Sequence, residues 1–192
     1  DISVLKACLE RADLYARLPE SFCTCRLSRK LVKGLPNYKL NTLCDHFGIA
    51  LNHHEALSDA RGAAKIMIEQ GRGGAILNFA SSFAIVGSPG YFAYHASKGA
   101  IASMTRAAAI ALLPYGIRVN SIAPGTVDTP GLHDGARDIG DETIGLQSFM
   151  ALQPMKRFGK PEEIANVALL MVSDEASFVD GAMWVVDGAY TI

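Results

Sequence analysis

Residues 75–98 read Ala75-Ile-Leu-Asn78-Phe-Ala-Ser81-Ser82-Phe-Ala-Ile-Val-Gly-Ser-Pro-Gly-Tyr-Phe-Ala-Tyr94-His-Ala-Ser-Lys98, and the fold turns on how that stretch divides. Ala75 to Ala80 is an apolar run of strand length, closed by the polar pair Ser81-Ser82. From Tyr94 to Leu113 the pattern predicts one long helix, ending before Pro114-Tyr115-Gly116. Upstream, Ala60, Ala63, Ala64, Met67 and Ile68 recur at helical spacing and predict an uninterrupted helix over Ala56–Gln70. The cluster Gly71-Arg72-Gly73-Gly74 ends that helix. It is not a dinucleotide fingerprint: Ile76 stands where the third glycine is needed, and the cluster precedes a strand where the fingerprint follows one.

Ile117-Arg-Val-Asn-Ser-Ile122 predicts a second strand and Met183-Trp-Val-Val186, extended to Asp187, a third. Between them lies a glycine- and aspartate-rich excursion from Gly125 to Gln153, then a helix for which Pro161 suits the first position. Ile164, Val167, Ala168 and Met171 give that helix one apolar face. Strand, helix, strand, helix, strand is the signature of an α/β fold with a parallel sheet and crossover helices. Residues 1–63 differ: they read mostly as helix, over Asp1–Ala16, Leu27–Val32 and Leu40–Phe47.

Composition places the same seam. Only Gly34, Gly48 and Gly62 of the 18 glycines precede residue 70, whereas Cys8, Cys23, Cys25 and Cys44 all do. The hydrophobic fraction of 49% and charged fraction of 19% exclude a disordered chain. A net charge of −1 argues against a nucleic-acid or membrane partner drawn by bulk electrostatics, and no apolar run has the length of a membrane span. The cysteines are expected to be reduced thiols of a cytoplasmic protein, because Cys23-x-Cys25 and Cys44-x-His46 are tighter than usual zinc spacings. The opening residue, Asp1, is the expected start of a fragment or a processed product.

The chemistry concentrates in Tyr94 and Lys98. Four residues apart on a helix, they share a face. A phenol with a pKa near 10 is a poor base at neutral pH, and a neighbouring cation makes it a better one by stabilising the phenolate. Ser81, at the end of a strand, lies thirteen residues before Tyr94. Carboxyl ends of parallel strands are where such sheets present their functional groups.

These residues occur in a longer ordered set. It comprises Asn78-Phe-Ala-Ser81, Tyr94-x-x-x-Lys98, Ile117-Arg-Val-Asn-Ser-Ile-Ala-Pro124-Gly125-Thr-Val127-Asp-Thr129, Gln153-Pro-Met-Lys-Arg-Phe-Gly159 and Val186-Asp187-Gly188. Over residues 64–192 the set resembles the carboxy-terminal half of a short-chain dehydrogenase/reductase. The resemblance implies a truncated Rossmann-like sheet and hydride transfer between NAD or NADP and a small alcohol or carbonyl. Tyr94 would be the acid/base, Lys98 its electrostatic partner and a ligand to the nicotinamide ribose, and Ser81 the hydrogen-bond donor to the substrate oxygen. Pro124, Gly125, Val127 and Thr129 would meet the nicotinamide. Ala189 replaces a glycine of the family's Val-Asp-Gly-Gly. The family's glycine-rich pyrophosphate loop and Asn-Ala-Gly motif are not found in this sequence. Its catalytic asparagine would fall near Leu57. Weak dinucleotide binding and impaired activity are therefore expected.

Residues 1–63 carry a second resemblance. Asp1-Ile-Ser-Val-Leu, Leu35-Pro-Asn-Tyr-Lys-Leu and His54-Glu-Ala-Leu-Ser-Asp59 are similar to the carboxy-terminal motifs of DEDDh exonucleases of the epsilon-subunit type. There the histidine deprotonates a water, and acidic side chains hold two metal ions. His54 would be the base, and Asp1 and Asp59 the ligands to Mg²⁺. The family's Asp-x-Glu motif is missing from these residues, so nuclease activity is not expected. A third reading is a composite without activity. Three geometric expectations follow: parallel strands in sequence order, Tyr94 and Ser81 hydroxyls within direct or one-water reach, and an unpaired edge at the first strand through which copies could assemble.

Overall fold

The computed structural model describes residues 56–192, with side chains from residue 62. Its elements are α1 (Ala56–Gln70), β1 (Gly74–Phe79), α2 (Phe92–Leu112), β2 (Ile117–Pro124), α3 (Pro130–Arg137), α4 (Glu142–Ala151), α5 (Pro161–Val172) and β3 (Met183–Val186). The three strands form one parallel sheet in the order β1-β2-β3. Ile76 pairs with Val119 and Phe79 with Ile122, while Ile122 pairs with Trp184. Each predicted strand and helix after the seam is present, with ends displaced by at most two residues.

Strand alternation divides the core in two. Ile76, Ile117 and Val119 face Met67 and Ile68 of α1 and Ala108, Ala109 and Leu112 of α2. Leu77, Phe79, Ile122, Trp184 and Val186 face Ile164, Val167 and Met171 of α5. Helices thus cover both faces of the sheet, as a parallel sheet requires. Ile117 and Ile122 are wholly inaccessible, each worth about 1.5–3 kcal/mol of burial.

The excursion from Gly125 to Gln153 is more regular than its glycines and aspartates suggested, because it holds α3 and α4. Thr129 caps α3 by accepting from the Leu132 N–H, with Pro130 in the first turn. Asp141 caps α4 through the Ile144 N–H. The two helices meet at Gly145, where a Cβ would lie 2.5 Å from the Ala136 carbonyl oxygen. Only a glycine allows that approach.

Polar residues of β2 fasten the segment before β3. The buried Asn120 donates to the Val179 carbonyl at 2.7 Å and accepts from the Ala182 N–H at 2.9 Å. Asp180 accepts from the Val119 N–H at 2.7 Å. The Arg118 guanidinium donates to the carbonyls of Met171, Ser173 and Val179. The Arg-Val-Asn run therefore serves the register of β3 and the end of α5. Asp1, His54, the four cysteines and His46 lie outside the described residues; Asp59 falls on α1, its side chain outside them too.

Candidate active site

The carboxyl end of β1 runs into a turn of 3₁₀-helix over Ser82–Ala84. The Ala80 N–H still donates to the Ile122 carbonyl, so Ser81 leaves the sheet from a fixed point. Ser81 is buried, and its Oγ accepts from the Phe83 N–H at 3.2 Å. A hydroxyl held as an acceptor on one side keeps its own proton free for another oxygen.

Tyr94 lies in the first turn of α2, 45% exposed, with its ring meeting Phe83 edge-on at 5.8 Å between centroids. Phe83 is the contact common to Ser81 and Tyr94. One turn along α2, Lys98 donates from Nζ to the Phe79 carbonyl at 2.9 Å, which ties the helix to the end of β1. Its Nζ lies 5.5 Å from the centre of the Tyr94 ring. Burial pushes the half-buried Lys98 ammonium below its usual range. Ser81, Tyr94 and Lys98 thus stand at one sheet edge.

The turn after β2 leaves from the same edge. Gly125 donates from its N–H to Val186, and a Cβ there would lie 2.7 Å from Asp187 Cα, so the close passage of β2 and β3 requires glycine. Val127 bridges to Gly159, and the Asp128 and Gly159 N–H groups complete that pairing. Thr129 spends its hydroxyl on capping α3, a task the sequence alone did not disclose. Asp187 accepts from the Ala189 and Thr191 N–H groups, and Ala189 takes φ 71°, a conformation glycine adopts more easily. That explains why the position suits glycine.

A nicotinamide nucleotide can be tested against this donor set. Two Nζ protons of Lys98 remain beyond the Phe79 bond, the Tyr94 hydroxyl is accessible, and the half-buried Val127 offers an apolar contact. These fit the ribose and ring of such a cofactor. His95 and Phe83 were not singled out from the sequence. His95 stacks on Phe83 at 4.7 Å and 14°, and both of its ring nitrogens meet backbone groups of the 83–88 loop. The available signal was a histidine beside a candidate catalytic tyrosine, which is too common to carry weight.

Known proteins resemble this chain in sequence and fold. A family model described as enoyl-(acyl carrier protein) reductase matches residues 47–191, and one described as exonuclease matches residues 1–67. Cyclopentanol dehydrogenase of Comamonas sp. (strain NCIMB 9872) is 42% identical over 118 residues, covering 62% of this chain and 46% of the relative. Cis-4-hydroxycyclohexanecarboxylate dehydrogenase of Sinomonas cyclohexanicum is 37% identical over 147 residues, covering 77% and 53%. The crystal structure of a short chain dehydrogenase family protein from Francisella tularensis superposes with a TM-score of 0.62 at 32% identity, over 69% of this chain and 57% of that one. The chain spans about half the length of the relatives it matches. With the family match covering most of the chain and the Ser81, Tyr94, Lys98 edge set on the parallel sheet, this protein belongs to the short-chain dehydrogenase/reductase family of oxidoreductases.

Proposed function

We propose that residues 64–192 interconvert a small secondary alcohol and its carbonyl, using NAD or NADP as the hydride partner, and that this activity is weak in the chain as it stands. The bound cofactor supplies hydride acceptance and donation; the remaining chemistry belongs to the side chains. Ser81 donates its free proton to the substrate oxygen. The Tyr94 phenol, accessible at the mouth of the site, gives or takes the proton on that oxygen. Lys98 stabilises the phenolate and reaches the ribose with its remaining protons. Pro124, Gly125, Val127 and Thr129 line the nicotinamide. The observation that carries this reading is the shared position of Ser81, Tyr94 and Lys98, anchored by the Lys98–Phe79 bond and by Phe83.

The relative named for cyclopentanol supports an apolar secondary alcohol as substrate, and the exposed Tyr91, three residues before Tyr94, fits such a molecule. Weakness follows from the residues ahead of the dehydrogenase half, which match an exonuclease instead of a dinucleotide loop. Asp1, His54 and Asp59 would support Mg²⁺-dependent hydrolysis only with the carboxylates of an Asp-x-Glu motif, so the oxidoreductase reading is the one we adopt.

The test is oxidation of cyclopentanol at millimolar NAD⁺ or NADP⁺, followed by absorbance. Slow turnover is expected, and Tyr94→Phe should remove it by about a hundredfold or more. Turnover unaffected by Tyr94→Phe would overturn the assignment.

A further inference from the structure

We infer that His95, locked as the neutral tautomer with its proton on Nδ1, is a positioning residue that sets the relation between Ser81 and Tyr94 through Phe83. The inference rests on the oxidoreductase reading above and extends it to a residue with no assigned role.

Hydrogen-bond logic fixes the tautomer. His95 Nδ1 lies 2.7 Å from the Phe83 carbonyl oxygen, which can only accept, so Nδ1 carries the proton. His95 Nε2 lies 2.9 Å from the Ser88 N, which can only donate, so in the neutral ring Nε2 is the acceptor. The Ser88 carbonyl is also near, at 3.2 Å. An imidazolium would turn to that carbonyl and give up the Ser88 N–H bond. The ring lies flat on Phe83, 4.7 Å away and 14° from parallel. One side chain thus holds the backbone of the 83–88 loop at two points and the Phe83 ring at a third.

Phe83 passes that constraint to the chemistry. Its N–H donates to Ser81 Oγ, which leaves the serine proton available for a substrate oxygen. Its ring meets Tyr94 edge-on and Tyr91 at 57°, with 5.8 Å between centroids in both pairs. His95 follows Tyr94 directly on α2, where its own N–H donates to the Tyr91 carbonyl. The loop bearing Ser81 and the helix bearing Tyr94 are therefore cross-linked by one imidazole. Without it, Phe83 keeps neither its carbonyl bond nor its stacked partner, and its ring is left with the edge-on Tyr94 and tilted Tyr91 contacts to hold the Ser81–Tyr94 relation beside the Lys98–Phe79 bond. Sub-ångström placement of this kind matters to rate, since small misplacements cost about a hundredfold.

The experiment uses the full chain with His95→Ala and His95→Asn. Asparagine can replace the Nδ1 proton towards Phe83 but cannot reach Ser88. Long-range ¹H–¹⁵N spectra should show His95 protonated at Nδ1 and bare at Nε2; the opposite tautomer overturns the proposal. In His95→Ala the ring-current shifts of the Tyr94 protons should collapse, with the Ser88 amide losing exchange protection, and His95→Asn should restore the Tyr94 shifts. Cyclopentanol oxidation should fall about ten- to hundredfold in kcat for His95→Ala, with KM little changed, and recover in His95→Asn. Unchanged Tyr94 resonances in a destabilised His95→Ala would mean a purely structural histidine and sink the inference. If no variant and no wild type turns over while the spectra behave as expected, the positioning stands and the oxidoreductase reading fails instead.

Discussion

His133 faces two carboxylates, and that arrangement makes the α3–α4 hairpin pH-sensitive. Its Nε2 is 2.8 Å from Asp128 and its Nδ1 2.8 Å from Glu142. Both partners only accept, so both ring nitrogens must donate and the ring is an imidazolium here. Arg137 joins the group by bonding Glu142 at 2.9 Å and also Asp134. The bond to Asp128, and then that to Glu142, raise the His133 pKa above 6.5. His133 and then Arg137 lower that of the Glu142 carboxyl. The signs give two limbs. A raised histidine pKa contributes stability that is complete below the unfolded value and disappears as pH rises through the folded one. A lowered carboxyl pKa contributes stability present above its unfolded value and lost as pH falls through the folded one. Amide exchange should therefore show the 130–151 hairpin best protected from mildly acidic to near-neutral pH, and opening on either side. His133→Ala should abolish the alkaline limb and also make the acid limb shallower, because Glu142 then keeps only its bond to Arg137. An alkaline limb that persists in that variant would rule out the imidazolium as its cause.

Elements of this protein are held in register by polar side chains that point into packed surroundings, and β2 is the clearest case. Asn120 is 1% exposed, and its amide satisfies one carbonyl and one N–H of the strand-like approach to β3. Asn120→Leu keeps the branching and heavy-atom count while leaving the Val179 carbonyl and the Ala182 N–H unmatched. Each orphaned group costs about 1–3 kcal/mol, so a loss of about 2–6 kcal/mol in denaturant unfolding is expected. A change below about 0.5 kcal/mol would show that water or a backbone shift replaces the amide. Periodicity read these elements well where a single face is buried. Ile76, Ile117, Val119 and Ile122 alternate as a sheet demands, and the faces of α1, α2 and α5 are apolar at helical spacing. It missed α3 and α4 because they are short and interrupted by glycines, one of them, Gly145, at their contact, although Thr129-Pro130 and Asp141 were legible caps. The site divides along the same line. Ser81, Tyr94 and Lys98 were readable because the chemistry dictates residue type and spacing. Phe83 and His95 were not, since their contacts join residues 12 apart through a loop whose path no local rule specifies.

At the scale of the chain, two families meet in one helix. The exonuclease match ends at residue 67 and the dehydrogenase match begins at residue 47, so their overlap takes in most of α1. Ile66 and Met67, late in α1, are already buried, and Met67 and Ile68 pack on Ile76 and Ile117. We infer that the join lies within α1, near residue 64, with the last two turns serving the dehydrogenase sheet. Among the described residues β1 is paired on one side only, by β2. In this family the pyrophosphate is cradled by backbone N–H groups at a glycine loop and the helix behind it, a strong anion site built from orphan donors. The residues ahead of the join match a different family, whereas those that would meet the nicotinamide and its ribose are all present at the edge of the sheet. The dinucleotide should then gain nothing from its adenosine and pyrophosphate half. Fluorescence titration should find NADH and NADPH unsaturated in the micromolar range, a range that needs about −8 kcal/mol. The decisive comparison is reduced nicotinamide mononucleotide, which lacks the adenosine half: it should bind as well as NADH. If NADH instead binds tens of times more tightly, a phosphate site exists elsewhere in the chain. Residues 1–63 would be the place to seek it, with the cluster Arg26, Arg29, Lys30 and Lys33 first to be substituted.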